Sequence, residues 1–409
     1  MTRRHNWSRA RRTASTLLTT LGTLAGAALA GAAPAGAASW TPVAPGVTYR
    51  QYDVSAAAGV ARVHVLDVDL ADSRVRLGLL YPGKVASRAA LSSMADAQRA
   101  VAGVNGDFFN VSETQHPGVP VTGASVGPAI AEGRELKSAV LNGQRFGPAL
   151  PRGTSTRAVL GVGADGRARL DTLSLDGTVT AAPGQLKLAG LNQYALPENS
   201  VGAFTPDWGS ASRKRATCGT DTSRGAPCST RTYEVTVRDD RVVAVSTAPG
   251  SGGVAEGTTV LVGREAGAQQ LKVLKVGDRV TVRYGLTSGS RTAYRFAIGG
   301  QPLLSGGQPL AGLDTRTSAV RTAVGIGDGG RRVFLLALDG GTAYRKGLTI
   351  AEVAAALRNL GATEGFGLDG GGSSTLVSRP TGSTRVDVRN HPSDGVERSV
   401  ANGIGVFTP

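Results

Sequence analysis

The chain has 409 residues, with 45 Lys and Arg against 30 Asp and Glu, a formal net charge of +15, and only 5% aromatic residues. A basic balance with no aromatic-interleaved stripe argues against a nucleic-acid binder; it suits attraction to an anionic polymer instead. Beyond the N-terminus no apolar stretch is long enough to cross a bilayer, which argues against stable membrane insertion of the remainder.

The first element is a basic segment, Arg3, Arg4, Arg9, Arg11 and Arg12, followed by an apolar small-residue run from Leu17 to about Ala33 and then Ala35-Gly36-Ala37. Basic region, short apolar region and A-x-A site together predict a secretory signal peptide over 1–37. The expected location is therefore extracellular or in the cell envelope. The Arg11-Arg12 pair leaves the export route, general or twin-arginine, open. Residues 38–409 are then one domain or two.

Residues 40–80 alternate in short runs, such as Ala61 to Leu70, and predict strands. Ala86 to Ala102 predicts a helix with Ala90, Met94, Ala97 and Val101 on one face. Ala102 to Asn110, AGVNGDFFN, predicts a short buried strand running into a polar loop. From about 144 to 286 the chain is β-rich and forms a candidate subdomain. Turns are expected at Asp165-Gly166, Asp176-Gly177 and Asp239-Asp240. Within it lie Cys218 and Cys228, the chain's two cysteines. Outside the membrane a close pair of this kind predicts a disulfide. Its Gly/Thr/Ser/Arg-rich surroundings suggest a staple on an exposed insertion.

Val333 to Leu338 is a continuous apolar run, the pattern of a strand covered on both faces. Thr349-Ile350-Ala351-Glu352 is a capping box. It opens a helix with Ile350, Val353, Ala354, Leu357 and Leu360 on one face, which Gly361 stops. A short strand, Gly365 to Leu368, follows. Strand, helix and strand at this spacing predict a βαβ unit with parallel strands. The fold class expected is α/β (mixed α+β): a central mixed sheet with flanking helices and a β-rich middle insertion.

Both strands end alike, in Leu338-Asp339-Gly340-Gly341 and Leu368-Asp369-Gly370-Gly371-Gly372. Parallel strands present their C-terminal ends on one edge, where open sheets place ligands. Asp339 and Asp369 are therefore expected near one another. Gly370, Gly371 and Gly372 could turn amides toward a ligand, with hydroxyls from Ser373, Ser374 and Thr375. Asp-Gly is also a common turn pair. For Asp339 the turn and site readings are balanced; for Asp369 the surrounding hydroxyls favour a site. Gly123-Ala124-Ser125-Val126-Gly127 matches a nucleophile-elbow string, but Pro128 follows it. His64, His116 and His391 are scattered without metal-ligand spacing. No cofactor is indicated and the metal question stays open, since no ligand set points to a cation beside Asp369.

Four segments, AGVNGDFFN, Arg321–Gly340, Gly347–Val377 and Glu397–Phe407, together with Phe296–Leu304, resemble successive blocks of the phosphodiester glycosidase family, that of the mannose 6-phosphate uncovering enzyme. The resemblance runs from Asn105 to Phe407 and is strongest from Phe296 onward. It implies a hydrolase acting on glycosyl phosphodiester bonds, with an anionic or phosphodiester-containing glycan as partner. On that basis Arg321 is the expected phosphate clamp, supported by the Gly370–Gly372 amides and the Ser373 and Ser374 hydroxyls. Asp369 or Asp339 would be base or nucleophile at the anomeric carbon, and Asn105 and Asn402 substrate binders. Asp107 stands where the family often has Gly. The competing readings are a glycosidase of neutral polysaccharide and a non-catalytic glycan-binding or exopolysaccharide-assembly protein.

Overall fold

The computed structural model describes residues 39–182 and 184–409. The expected signal segment, 1–37, lies outside the described residues.

The α/β expectation is corrected: the described chain is mostly β, with three sheets and three short α-helices, Leu91–Ala97, Ala266–Leu271 and Ile350–Asn359. The reason is connectivity. Most strands are joined by tight turns into antiparallel neighbours, so few crossover helices are needed. The predicted helix over 86–102 shrinks to Leu91–Ala97, and Ala102–Asn105 is already a strand.

The eight-stranded sheet runs, in spatial order, Thr41–Ala44, Val47–Ala56, Gly59–Asp69, Arg332–Leu338, Thr322–Gly327, Glu364–Leu368, Gln301–Ser305 and Gln308–Pro309. The Arg332–Leu338 and Glu364–Leu368 strands do share it and run in the same direction. They are not neighbours, however: Thr322–Gly327 lies between them, antiparallel to both. The helix that joins them has the predicted box, with the Thr349 side chain accepting from the Glu352 amide and the Glu352 carboxylate accepting from the Thr349 amide. A cap of this kind is worth about 1 kcal/mol. Its apolar face, with Val353, Ala354 and Leu357, packs on Phe334, Leu336, Ala323 and Leu304 of the sheet. Burying Val353 or Leu357 contributes roughly 1.5–3 kcal/mol each.

A five-stranded sheet runs Asp387–Val388, Leu376–Ser378, Ala102–Asn105, Gly403–Phe407 and Arg76–Leu80. An eleven-stranded sheet takes up the β-rich stretch and shares it with Ala129–Ala131, Arg134–Lys137 and Tyr294–Gly299. The hairpin at Asp239-Asp240 is as expected: both residues have positive φ, 50° and 57°, the geometry of a two-residue hairpin turn. Asp176-Gly177 is not a turn. It lies inside the long strand Ala168–Ala181, where Gly177 pairs with Tyr284.

Cys218 and Cys228 are disulfide-bonded. The staple is less exposed than its composition suggests, because Cys218 is fully buried. Arg215, itself buried in an ion pair with Glu113, donates to the Cys218 carbonyl, and His116 bonds the Ala226 carbonyl at 2.8 Å. Among the described residues no helix is long and apolar enough to cross a membrane.

Candidate functional site

The eight-stranded and five-stranded sheets meet at Asp369. Its amide donates to the Gly106 carbonyl at 2.9 Å, and its carbonyl accepts from Asn105 Nδ2 at 2.7 Å. Asn105 is fully buried; its Oδ1 accepts from Thr322 Oγ1 and the Thr375 amide. This side chain therefore ties three elements together beneath Asp369. Asn402, on the adjoining strand end, accepts the Asp107 amide on Oδ1 at 2.9 Å.

The glycines after Asp369 have separate reasons. Gly371 has φ +59°, which favours glycine. At Gly372 a Cβ would collide with the Arg398 guanidinium and the Asp394 carboxylate. The amides of Gly370 and Gly371 are already spent, on Asp369 Oδ1 at 3.0 Å and the Val320 carbonyl at 2.8 Å. The first steadies the carboxylate itself. Ser373, Ser374 and Thr375 are fully buried. The Ser373 hydroxyl stands beside the Asp369 carboxyl, and Arg398 Nη1 approaches that hydroxyl at 3.5 Å. Ser374 Oγ lies 3.1 Å from Thr322 Oγ1, and Thr375 Oγ1 donates to the Ser373 carbonyl.

Burial pushes the Asp369 carboxyl up to about 6, against the lowering pull of Ser373 and Arg398; the Asp107 charge pushes the same way as burial. A carboxylate in this range is ionised near neutral pH yet more basic than a free one. Asp107 is buried and shifted upward by burial as well. Its Oδ2 accepts from the Gly127 amide at 2.6 Å, while its Oδ1 has no hydrogen-bond partner.

Asp339 sits two strands away, about 10 Å by strand spacing, in different surroundings. It is 1% exposed. Oδ1 accepts from His64 Nε2 at 3.0 Å and from the His391 amide at 2.6 Å; Oδ2 accepts from His391 Nδ1 at 3.2 Å. His64 Nδ1 in turn meets the Tyr49 hydroxyl at 2.7 Å. Burial alone would raise this carboxyl, but the bonds from His64 and His391 outweigh it and hold it below the usual range.

Arg321 immediately precedes the strand between the two aspartates, yet its side chain turns to backbone carbonyls, Thr317 at 2.8 Å and Leu348 at 3.3 Å. The guanidinium beside Asp369 is Arg398, held by Asp394 at 2.7 Å. The segment carrying it folds over the glycine loop: Asn390 Nδ2 donates to the Leu338 and Ser374 carbonyls, and Ser393 Oγ donates to the Gly371 carbonyl. Sequence reading missed Arg398, Asp394 and His391 as site residues. Arg398 lies inside a block it singled out, Glu397–Phe407; the His64–Asp339–His391 cluster is invisible in sequence because its members are 275 and 52 positions apart. Among the described residues no three His, Cys, Asp or Glu side chains are grouped to hold a metal ion.

Fold and site together define a β-rich protein with carboxylates, an arginine and a serine hydroxyl gathered where two sheets meet. Residues 231–407 match the phosphodiester glycosidase family model, so the resemblance read in the sequence is shown over that span. The match begins later than Asn105, where the sequence resemblance starts. Among solved structures, a hypothetical protein from Synechocystis is similar with a TM-score of 0.69 and 22% identity, over 93% of this chain and 65% of that one. A putative exported protein from Burkholderia pseudomallei K96243 is similar with a TM-score of 0.64 and 23% identity, over 85% of this chain and 74% of that one. At these identities both show the fold alone. The catalytic domain of zebrafish N-acetylglucosamine-1-phosphodiester alpha-N-acetylglucosaminidase, auto-inhibited by its pro-peptide, aligns with a TM-score of 0.45 and 15% identity, over 91% of this chain and 87% of that one. The chain thus spans 65% of the length of the Synechocystis protein. No curated protein matches it.

Proposed function

We propose that the protein is a secreted hydrolase of glycosyl phosphodiester bonds in cell-surface or extracellular glycans, with Asp369 as its reacting carboxylate. The observation that carries this is the grouping at Asp369: a carboxylate raised to about 6, with Ser373 and Arg398 beside it, inside the span that matches the phosphodiester glycosidase model. The leaving group is a phosphate monoester, which needs its charge stabilised more than it needs a proton. Arg398 supplies that stabilisation, since a guanidinium binds phosphate oxygens with charge-assisted hydrogen bonds, while the buried Ser373 hydroxyl orients Asp369. Asp369 attacks the anomeric carbon, and Asn105, with Asn402 on the adjoining strand end, fixes the two strand ends that frame it. The disulfide and the basic character fit an extracellular protein facing an anionic polymer.

The test is hydrolysis of a sugar-1-phosphodiester, read as free reducing sugar together with a phosphomonoester that an added phosphatase converts to phosphate. Release of both supports the reading. Cleavage of a neutral aryl glycoside without cleavage of the diester would favour a neutral-glycan glycosidase, and no cleavage of either a non-catalytic glycan binder.

A further inference from the structure

Asp339 is not placed to attack a substrate: it is 1% exposed and both its oxygens are bonded. Its outward partner is His391, whose side chain is 78% exposed. The structure assigns His391, held by Asp339, as the general base that activates water in the hydrolysis at Asp369. This rests on the reading of the site as a glycosyl phosphodiester hydrolase.

The geometry has three parts. The bond from His391 Nδ1 to Asp339 Oδ2 places the ring proton on Nδ1, which leaves the Nε2 lone pair facing outward. A buried carboxylate in this position fixes tautomer and orientation and stabilises the imidazolium that forms when the base takes a proton. The bond from the His391 amide to Oδ1, at 2.6 Å, would already pin the backbone; the ring's bond to Oδ2 is additional, and a structural pin does not require it. Finally, His391 lies between two residues fixed to the Asp369 loop, Asn390 through the Ser374 carbonyl at 2.9 Å and Ser393 through the Gly371 carbonyl at 3.1 Å.

The charged and titratable groups around the dyad come from several elements. His64 and Arg62 lie on the Gly59–Asp69 strand, and Asp53, paired with Arg62 at 2.8 Å, on Val47–Ala56. Arg62 stacks on Tyr344, Arg389 stacks on Tyr49, and Asp394 and Arg398 belong to the same covering segment. Asp339 is the one among them bonded to the His391 ring.

The chemistry then divides into two steps. In the first, an Asp369 oxygen bonds to the anomeric carbon, the bond from that carbon to the phosphate oxygen breaks, and the electron pair leaves on the phosphate monoester. No base is needed. In the second, water bonds to the anomeric carbon and its proton passes to His391 Nε2. The ester bond to Asp369 breaks, and its electron pair restores the carboxylate. The imidazolium then returns its proton to solvent. Two displacements at one carbon retain its configuration.

The division makes His391→Ala diagnostic. Its side chain is exposed, so the variant should fold. In rapid-quench experiments with a sugar-1-phosphodiester it should release a burst of about one phosphomonoester per enzyme and then turn over about a hundredfold more slowly than wild type. The glycosyl adduct should appear on Asp369 by mass spectrometry, and added imidazole should restore part of the turnover. His391→Gln should behave alike, and Asp339→Asn, if folded, should slow turnover while keeping the burst. A His391→Ala enzyme at the wild-type rate, or one slowed with neither burst nor adduct, overturns the assignment while leaving the hydrolase reading intact. A wild-type protein that leaves the diester uncut removes that reading, and this inference with it.

Discussion

Two strands of one sheet end in the same phrase, Leu-Asp-Gly-Gly, and the two aspartates meet opposite environments. Asp339 is gripped by donors from two histidines and is held below the usual carboxylate range. Asp369 is desolvated beside another carboxylate, with Arg398 reaching only its serine neighbour, and is pushed up to about 6. Identical local sequence thus gives one carboxyl held below the ordinary range and one raised above it. The difference is made by what distant segments bring: His64 from Gly59–Asp69 at one end, and Gly106 with Asp107 at the other.

The largest expected effect is on stability, at Asp339. Asp339→Asn replaces a buried carboxylate that accepts three hydrogen bonds and should cost about 3 kcal/mol at pH 7, since one hydrogen bond to a charged group contributes about 1.5–3 kcal/mol. The folded carboxyl is depressed, so its stabilisation is present above the unfolded value near 4 and lost as pH falls through the lower folded value. The gap between wild type and variant should therefore narrow below about pH 4. Urea denaturation at pH 7 and pH 3 measures both; equal stabilities at pH 7 would contradict the clamped role.

The same substitution at Asp369 should do the reverse. Its folded carboxyl is raised, so the wild-type protein loses stability as pH rises from about 4 to about 6 and does not regain it above. Asp369→Asn should therefore be more stable at pH 7, by on the order of 1–3 kcal/mol, while turnover on a phosphodiester falls about a hundredfold. A variant that is both less stable and fully active would break the contrast at its reactive end.

The disulfide supplies a control away from the comparison. Replacing Cys218 and Cys228 together by Ser should lower stability by about 2 kcal/mol. The staple is tied to Glu113, His116 and Arg215 rather than to the Asp369 loop, so turnover should change less than about twofold, within the range of a surface substitution. A large loss of turnover in a variant that still folds would place the staple in the site.

How much of this was legible follows from range. The capping box, the helix face and the two Asp-Gly strand ends are local patterns, and each stands where the sequence put it. The direction of the two strands follows from the helix between them. The intervening Thr322–Gly327 strand does not, because it precedes both in the chain and enters by hairpin pairing. The α/β class failed for a related reason: one genuine crossover was taken as the rule in a chain whose other connections are mostly antiparallel turns. At the site, Asp369 and Ser373 were visible as chemistry beside glycines. His391 was not, since nothing in its neighbourhood announces Asp339, 52 positions away.

Arginine identity offers the finest cut between the strand ends. Arg321 precedes the strand that lies between them in the sheet, but its Nε and Nη2 donate to the Leu348 and Thr317 carbonyls, and burial lowers its pKa without a bonded carboxylate partner. Arg398 stands on the Asp369 side, held by Asp394 and reaching Ser373. A lysine keeps the charge but loses the planar fork that binds two oxygens together. Arg398→Lys should therefore lower kcat/KM on a sugar-1-phosphodiester about tenfold, the worth of one charge-assisted hydrogen bond of roughly 1.5 kcal/mol. Arg321→Lys should leave that ratio near wild type, because its guanidinium serves the backbone of the loop before the helix. Steady-state kinetics on a diester and on a neutral aryl glycoside separate phosphate binding from general damage, since only the diester carries the group the fork would hold. The reverse pattern, with Arg321→Lys selectively losing the diester, would move the phosphate to the other side of the sheet edge and take Arg398 out of the clamp.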